Sequence, residues 1–195
     1  MKNLPLMLLA TAAVLCSCTP ETELAALDTY AFKRHTGFTP DDAVNAGSWD
    51  APKGISGPHL IVVDTNLQKA NYYIGGHLVG TSTISSGKAG HGTPQGTFHV
   101  LAKDADHKSS TYGSIVDSAG NTLVAEYTQG QPIPAGGHYK GAEMTNALQL
   151  TNSGVWMHEG LVTSAPESHG CIRLPKKMAK IFFDNTSVGD TVIIK

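Results

Sequence analysis

Residues 59–84 read HLIVVDTNLQKANYYIGGHLVGTSTI, and this run decides the fold. Three stretches within it, 59–64, 70–74 and 78–84, are rich in β-branched and aromatic side chains, which suit a pleated, half-buried surface. Asn66 and the pair Gly75-Gly76 separate them with residues that accept the tight backbone of turns. The run predicts an antiparallel meander.

The same texture extends outward. Thr93-Pro94-Gln95-Gly96 forms a rigid turn feeding Thr97-Phe98-His99-Val100, a strand with Phe98 and Val100 on one face. Residues 104–145 are more polar, with a hairpin expected from 114–117 and 122–127 around Ser118-Ala119-Gly120-Asn121. So long a polar excursion between core strands suggests a lid or a substrate wall. A strand is expected through Val155-Trp156-Met157, and another over 191–194. Between them Pro175 opens a helix over 175–184, with Met178, Ile181 and Phe182 on one face. With 21 glycines and 10 prolines among these short strands, the class is mainly β with a few helices.

The first residues follow another pattern. Met1, Lys2 and Asn3 precede an apolar stretch, 4–15, with the charged-then-hydrophobic order of an export signal and too short to span a bilayer comfortably. Its end, Leu15-Cys16-Ser17-Cys18, resembles a bacterial lipobox, so residues 1–18 are expected to be a lipoprotein signal with Cys18 lipidated. Residues 19–57 are polar and broken by prolines and glycines, with short helices expected around Leu24, Leu27 and Ala31 and at Thr39-Pro40-Asp41-Asp42. They are expected to be a tether of about 130 Å at full extension, leaving 58–195 as a single domain. A net charge of −2 with no basic block disfavours a nucleic-acid partner.

The chemistry concentrates in Ser168-His169-Gly170-Cys171-Ile172-Arg173. Cys16 and Cys18 lie in the leader, so Cys171 has no disulfide partner in the domain. A thiol attacks carbonyl carbon as thiolate, and a neighbouring imidazole that takes its proton raises the reactive fraction. His158 arrives from the end of a separate strand, from which a base can be aimed across a cleft, and is expected to be that base. His169, two residues before the sulfur, is expected to orient substrate. Gly170 lets the backbone approach substrate closely, so N–H groups of Gly170 and Cys171 are expected to face an oxyanion. Arg173 suits a bidentate grip on a carboxylate.

His158 followed by Ser168-His169-Gly170-Cys171-x-Arg173, together with Ser86-Gly87-Lys88 and Thr93-Pro94-Gln95-Gly96-Thr97-Phe98, resembles the L,D-transpeptidase catalytic domain family (YkuD-like) from about residue 59 to 195. The resemblance implies a β-sandwich of mixed sheets with a few short helices, its cysteine in a cleft beneath a variable flap. It implies a cysteine acyltransferase of bacterial peptidoglycan. The thiolate attacks the third-residue carbonyl of a tetrapeptide stem, expels D-alanine and passes the acyl group to an amine. It further implies that the Glu159 carbonyl orients the imidazole, and that Ser168, His169 and Arg173 contact the stem peptide. The expected setting is the periplasmic face of a bacterial membrane, the outer membrane in a Gram-negative cell, for a monomer anchored by its lipid. The expected role is in cell-wall biogenesis and cell shape.

Other chemistries fit less well. His158, His169 and Cys171 lack paired metal-ligand spacing, so no metal or cofactor is expected. The remaining histidines, among them His91 and His107, are assigned to surface or sheet positions. An L,D-carboxypeptidase, an enzyme attaching protein to the wall, and a non-catalytic lipoprotein that binds stem peptides are the alternatives.

Overall fold

The structure, a computed structural model, describes residues 47–195. The lipobox with Cys18 and the two expected helices of the tether lie outside the described residues. The elements are β1 (Gly47–Trp49), β2 (His59–Asp64), β3 (Lys69–Ile74), β4 (His77–Thr83), β5 (Gly96–His99), β6 (Ala102–Val116), β7 (Thr122–Thr128), β8 (His138–Gln149), β9 (Trp156–Glu159), β10 (Ile172–Leu174), α1 (Lys176–Asn185) and β11 (Thr191–Ile194). They build a six-stranded sheet, β1-β4-β3-β2-β11-β5, and a five-stranded sheet, β10-β9-β8-β6-β7.

The meander is present as β2-β3-β4, antiparallel throughout. Each sheet also holds one parallel pair, β11 with β2 and β10 with β9, which makes both mixed. Alternation along the strands sends one side of each sheet inward. Ile61, Val63, Tyr72, Val192 and Ile194 of the first sheet meet Leu148, Met157, Ile172 and Leu174 of the second in a single buried core, the expected β-sandwich.

α1 lays Met178, Ala179 and Phe182 on that core. Pro175 stands just before its first turn, where a missing N–H and a fixed φ cost nothing. At its other end Lys103 of β6 donates to the carbonyls of Phe183 at 2.6 Å and Thr186 at 2.5 Å, satisfying acceptors that a helix terminus leaves open.

Two regions depart from expectation. Residues 47–57, read as the end of a tether, include β1, which pairs with β4. Trp49 of β1 packs edge-on to Tyr72, 5.2 Å between centroids, and its large apolar area binds the segment to the core. The expected hairpin about residues 118–121 is present, the end of β6 pairing antiparallel with β7, but it does not stand on a loop. β6 runs fifteen residues and pairs with β8 over most of its length, so the excursion is the outer half of the second sheet. Its polarity reflects strands whose residues are mostly exposed, with Ile115, Val116, Tyr127 and Met144 buried among them.

Candidate active site

The parallel pair β9–β10 sets Ile172 beside Met157, Arg173 beside His158 and Leu174 beside Glu159. Met157, Ile172 and Leu174 are 1%, 0% and 1% exposed, so this side of the pair is core. Side chains alternate along a strand, so His158 and Arg173 project to the opposite side, with Trp156 two residues before His158. Cys171, two residues before Arg173, enters the strand at the same edge.

The turn leading to Cys171 is held by backbone and hydroxyls. The Ser86 carbonyl accepts from the N–H groups of Glu167 and Ser168, and Lys88 N–H donates back to the Ser168 carbonyl. Ser168 is buried; its Oγ donates to the Cys171 carbonyl and accepts from the Gly170 N–H at 3.1 Å. Gly170 has φ +114, a backbone that a Cβ would strain. Thr93 Oγ1 donates to the Gly170 carbonyl at 2.9 Å and accepts from Gly87 N–H at 2.8 Å, joining the Thr-Pro-x-Gly turn to the cysteine turn. A Cβ on Gly87 would fall 2.0 Å from the His91 carbonyl oxygen, which is why only glycine fits there. Beneath lies Gln68, whose amide brackets Ser86 by accepting from its N–H at 2.9 Å and donating to its hydroxyl at 2.7 Å.

The His158 Nδ1–H donates to the Glu159 carbonyl at 2.7 Å. This fixes the tautomer and leaves the Nε2 lone pair free. Burial pushes the imidazole pKa down to about 4, with the positive charge of Arg173 acting in the same direction, so the ring is neutral near pH 7. Burial likewise raises the Cys171 thiol above its usual range, opposed by the Trp156 N–H and by Arg173. The thiol donates to the Gly154 carbonyl, Sγ to oxygen 3.7 Å. The resting pair is therefore thiol and imidazole, not thiolate and imidazolium.

Arg173 makes no ion pair among the described residues. Its stem crosses Gly160, where a Cβ would stand 3.1 Å from it. Arg173 and His169, two residues to either side of Cys171, line an open cleft of about 620 Å3 whose far wall is the outer half of β6, β7 and β8. His169 stacks on Tyr112 of that wall, 4.4 Å between centroids, and meets His91 edge-on at 5.0 Å.

Of the residues singled out in the sequence, the fold gathers Cys171, His158, the Glu159 carbonyl, Ser168, Gly170, His169 and Arg173 around one edge of β9–β10. One expectation is corrected. The Gly170 N–H, expected to face an oxyanion, is taken by Ser168 Oγ, because the hydroxyl closes the tight turn before the cysteine. Thr93, read as a turn former, is also a brace of the cysteine turn. Tyr112, an aromatic residue weighed in the sequence as cleft lining or core, lies on the cleft wall, whereas His91 and His107 had no local signal, since the rings they pack against lie far away in the chain.

A family model described as the L,D-transpeptidase catalytic domain (YkuD) matches residues 58–194. A curated relative, L,D-transpeptidase 1 of Mycobacterium tuberculosis, is 26% identical over 165 residues, 81% of this chain and 59% of the relative. The chain thus spans less than two thirds of the length of the curated relative it matches. The solved L,D-transpeptidase from Mycobacterium smegmatis aligns with a TM-score of 0.54 at 22% identity, over 83% of this chain and 88% of the other. An L,D-transpeptidase solved in complex with imipenem aligns with a TM-score of 0.53 at 20% identity, with the same two coverages. Both have the fold seen here.

Proposed function

The chain belongs to the L,D-transpeptidase catalytic domain family, and we propose that it is a peptidoglycan L,D-transpeptidase with Cys171 as nucleophile and His158 as its base. One observation carries this reading. Cys171, His158 and Arg173 share an edge of the parallel β9–β10 pair, and the Nδ1–H bond to Glu159 leaves Nε2 as the open lone pair.

In the first half-reaction the thiol turns from the Gly154 carbonyl and gives its proton to His158 Nε2. The sulfur attacks the carbonyl of the third stem residue, and the C–S bond forms. With the Gly170 N–H committed to Ser168, the Cys171 N–H is the donor for the oxyanion; such a donor contributes about 2.7–4 kcal/mol to the transition state. His158 then protonates the nitrogen of D-alanine, the C–N bond breaks, and a thioester remains. Arg173, without a carboxylate partner among the described residues, grips a substrate carboxylate, and His169 and Tyr112 flank the peptide. An amine acceptor completes a cross-link or an exchange, whereas water gives L,D-carboxypeptidase activity.

The same reading takes residues 58–195 as the catalytic domain and residues 19–57 as the tether. Residues 1–18 are then the signal, and a lipid on Cys18 holds the enzyme at the cell envelope. The test of the chemistry is intact mass after incubation with imipenem. The wild-type chain should gain one drug mass and a Cys171→Ala variant none. A wild-type protein left unmodified under conditions that acylate a family member overturns the proposal.

A further inference from the structure

A second histidine stands beside the β9–β10 pair, supplied by another strand of the same sheet. His107 of β6 stacks on the Trp156 indole, 4.0 Å between centroids and 24° between planes. Trp156 directly precedes the residue paired with Ile172, so it lies beside Cys171 across the strand gap, about 4.8 Å wide. The His107 Nδ1–H donates to Asp104 Oδ2 at 3.1 Å, which leaves its Nε2 lone pair open. Asp104 Oδ1 accepts from the Asp106 N–H, and Asn146 on the facing strand has φ +55. The His107 side chain keeps 23% of its surface in contact with solvent, and the ring is near enough for its charge to act on His158. The other ionisable groups on the strands around it are Lys103, Asp106 and Lys108 of β6, His138, Lys140 and Glu143 of β8, with Glu143 opposite Lys108, and Glu159 beside His158 on β9.

We propose that His107, held by Asp104 and seated on Trp156, is a second general base that deprotonates the incoming acceptor amine in the transfer half-reaction. The proposal rests on the acyl-transfer reading above. Its ground is proton balance. An acceptor arrives at neutral pH as an ammonium and ends as an amide N–H, so it gives up two protons.

The first proton goes to His107 Nε2, and from there to bulk water. The neutral amine then attacks the thioester carbonyl and the C–N bond forms. His158 Nε2 takes the second proton and returns it to sulfur as the C–S bond breaks. One proton ends on Cys171 and one in solvent. Buried His158 suits the shuttle to sulfur, and partly exposed His107 suits the discharge to water. Acylation and hydrolysis move only the proton that His158 handles, so they do not need His107.

The experiment uses the purified chain with a tetrapeptide donor ending in D-alanine and D-methionine as the acceptor. The ratio of exchange product to hydrolysis product reports how the common thioester partitions, independent of how fast it forms. A His107→Gln variant should be acylated by imipenem at the wild-type rate yet show an exchange-to-hydrolysis ratio about tenfold lower or more at pH 7. The ratio should recover as the pH approaches the pKa of the amine, about 8–10. Asp104→Asn should shift it in the same direction by less, and it decides the matter if His107→Gln proves misfolded. A ratio unchanged at pH 7, a loss that does not recover at high pH, or a wild-type enzyme that hydrolyses but never exchanges overturns the proposal. Failure of the wild type to be acylated by imipenem is a different result and strikes at the function itself.

Discussion

The two ends of the five-stranded sheet are built to opposite rules. At the β9–β10 end one side of the sheet is dry core, with Met157, Ile172 and Leu174 almost fully buried. At the far end β6, β7 and β8 run out past the sandwich, and most of β7 is exposed. The reacting groups sit on the first and the cleft wall on the second. Attack geometry must be held to fractions of an ångström, which a packed backing provides; a wall that meets different acceptors has no such need. Between the two stands the Tyr112–His169 stack, a ring from the open end resting on the cysteine turn of the packed end.

The contrast is open to attack, most forcefully through kinetics. A His158→Gln variant should fold but lose acylation by imipenem by about 10²- to 10⁴-fold, the usual worth of a positioned base. A loss under threefold, measured by stopped-flow or timed mass spectrometry, would mean that the packed end does not supply the base.

Stability offers the next test. Met157→Ala removes a buried side chain behind the site and should cost about 2–5 kcal/mol. Leu123→Ala, on the outer strand β7 and 45% exposed, should cost under about 0.5 kcal/mol. Comparable costs in urea titrations would erase the distinction between the two ends.

A smaller effect comes from acid. The native fold holds the His158 pKa down at about 4, whereas the unfolded chain has it near 6.5. Between those values the unfolded state binds the extra proton, so stability falls as pH drops from about 6.5 toward 4, by about 3 kcal/mol in total. In His158→Gln that component should vanish, leaving a flatter stability curve across the same window. An identical curve for both proteins would place the imidazole in water rather than in the packed end.

The strands were legible where their signals were local. Residues 59–64 and 191–194 alternate and are bounded by turn residues, and they appear as β2 and β11 unchanged. β1 was not legible, because three residues in a polar segment become a strand only when β4 offers an edge and Tyr72 a surface for Trp49. Of β6 only the end was legible, as the first arm of the hairpin at 114–117, because the polar stretch before it shows no alternation and its pairing with β8 is irregular between Lys108 and Gly113. At the site, the cysteine run and His158 stood out by residue type alone. His107 did not, because a single histidine among Asp, Lys and Ser carries no pattern.

From the chain alone came the class of fold, the thiol, the imidazole to pair with it, and the glycine and arginine around them, because each is a matter of which chemical groups occur at which spacing. The folded molecule alone decided which imidazole nitrogen is free, where the thiol proton rests, that the Gly170 N–H is already engaged, and that a second histidine stacks on the tryptophan two residues before His158. Those facts are set by hydrogen bonds and ring contacts, some between residues dozens of positions apart, and by how much water the packing leaves near each group. Neither is written in any local stretch of sequence.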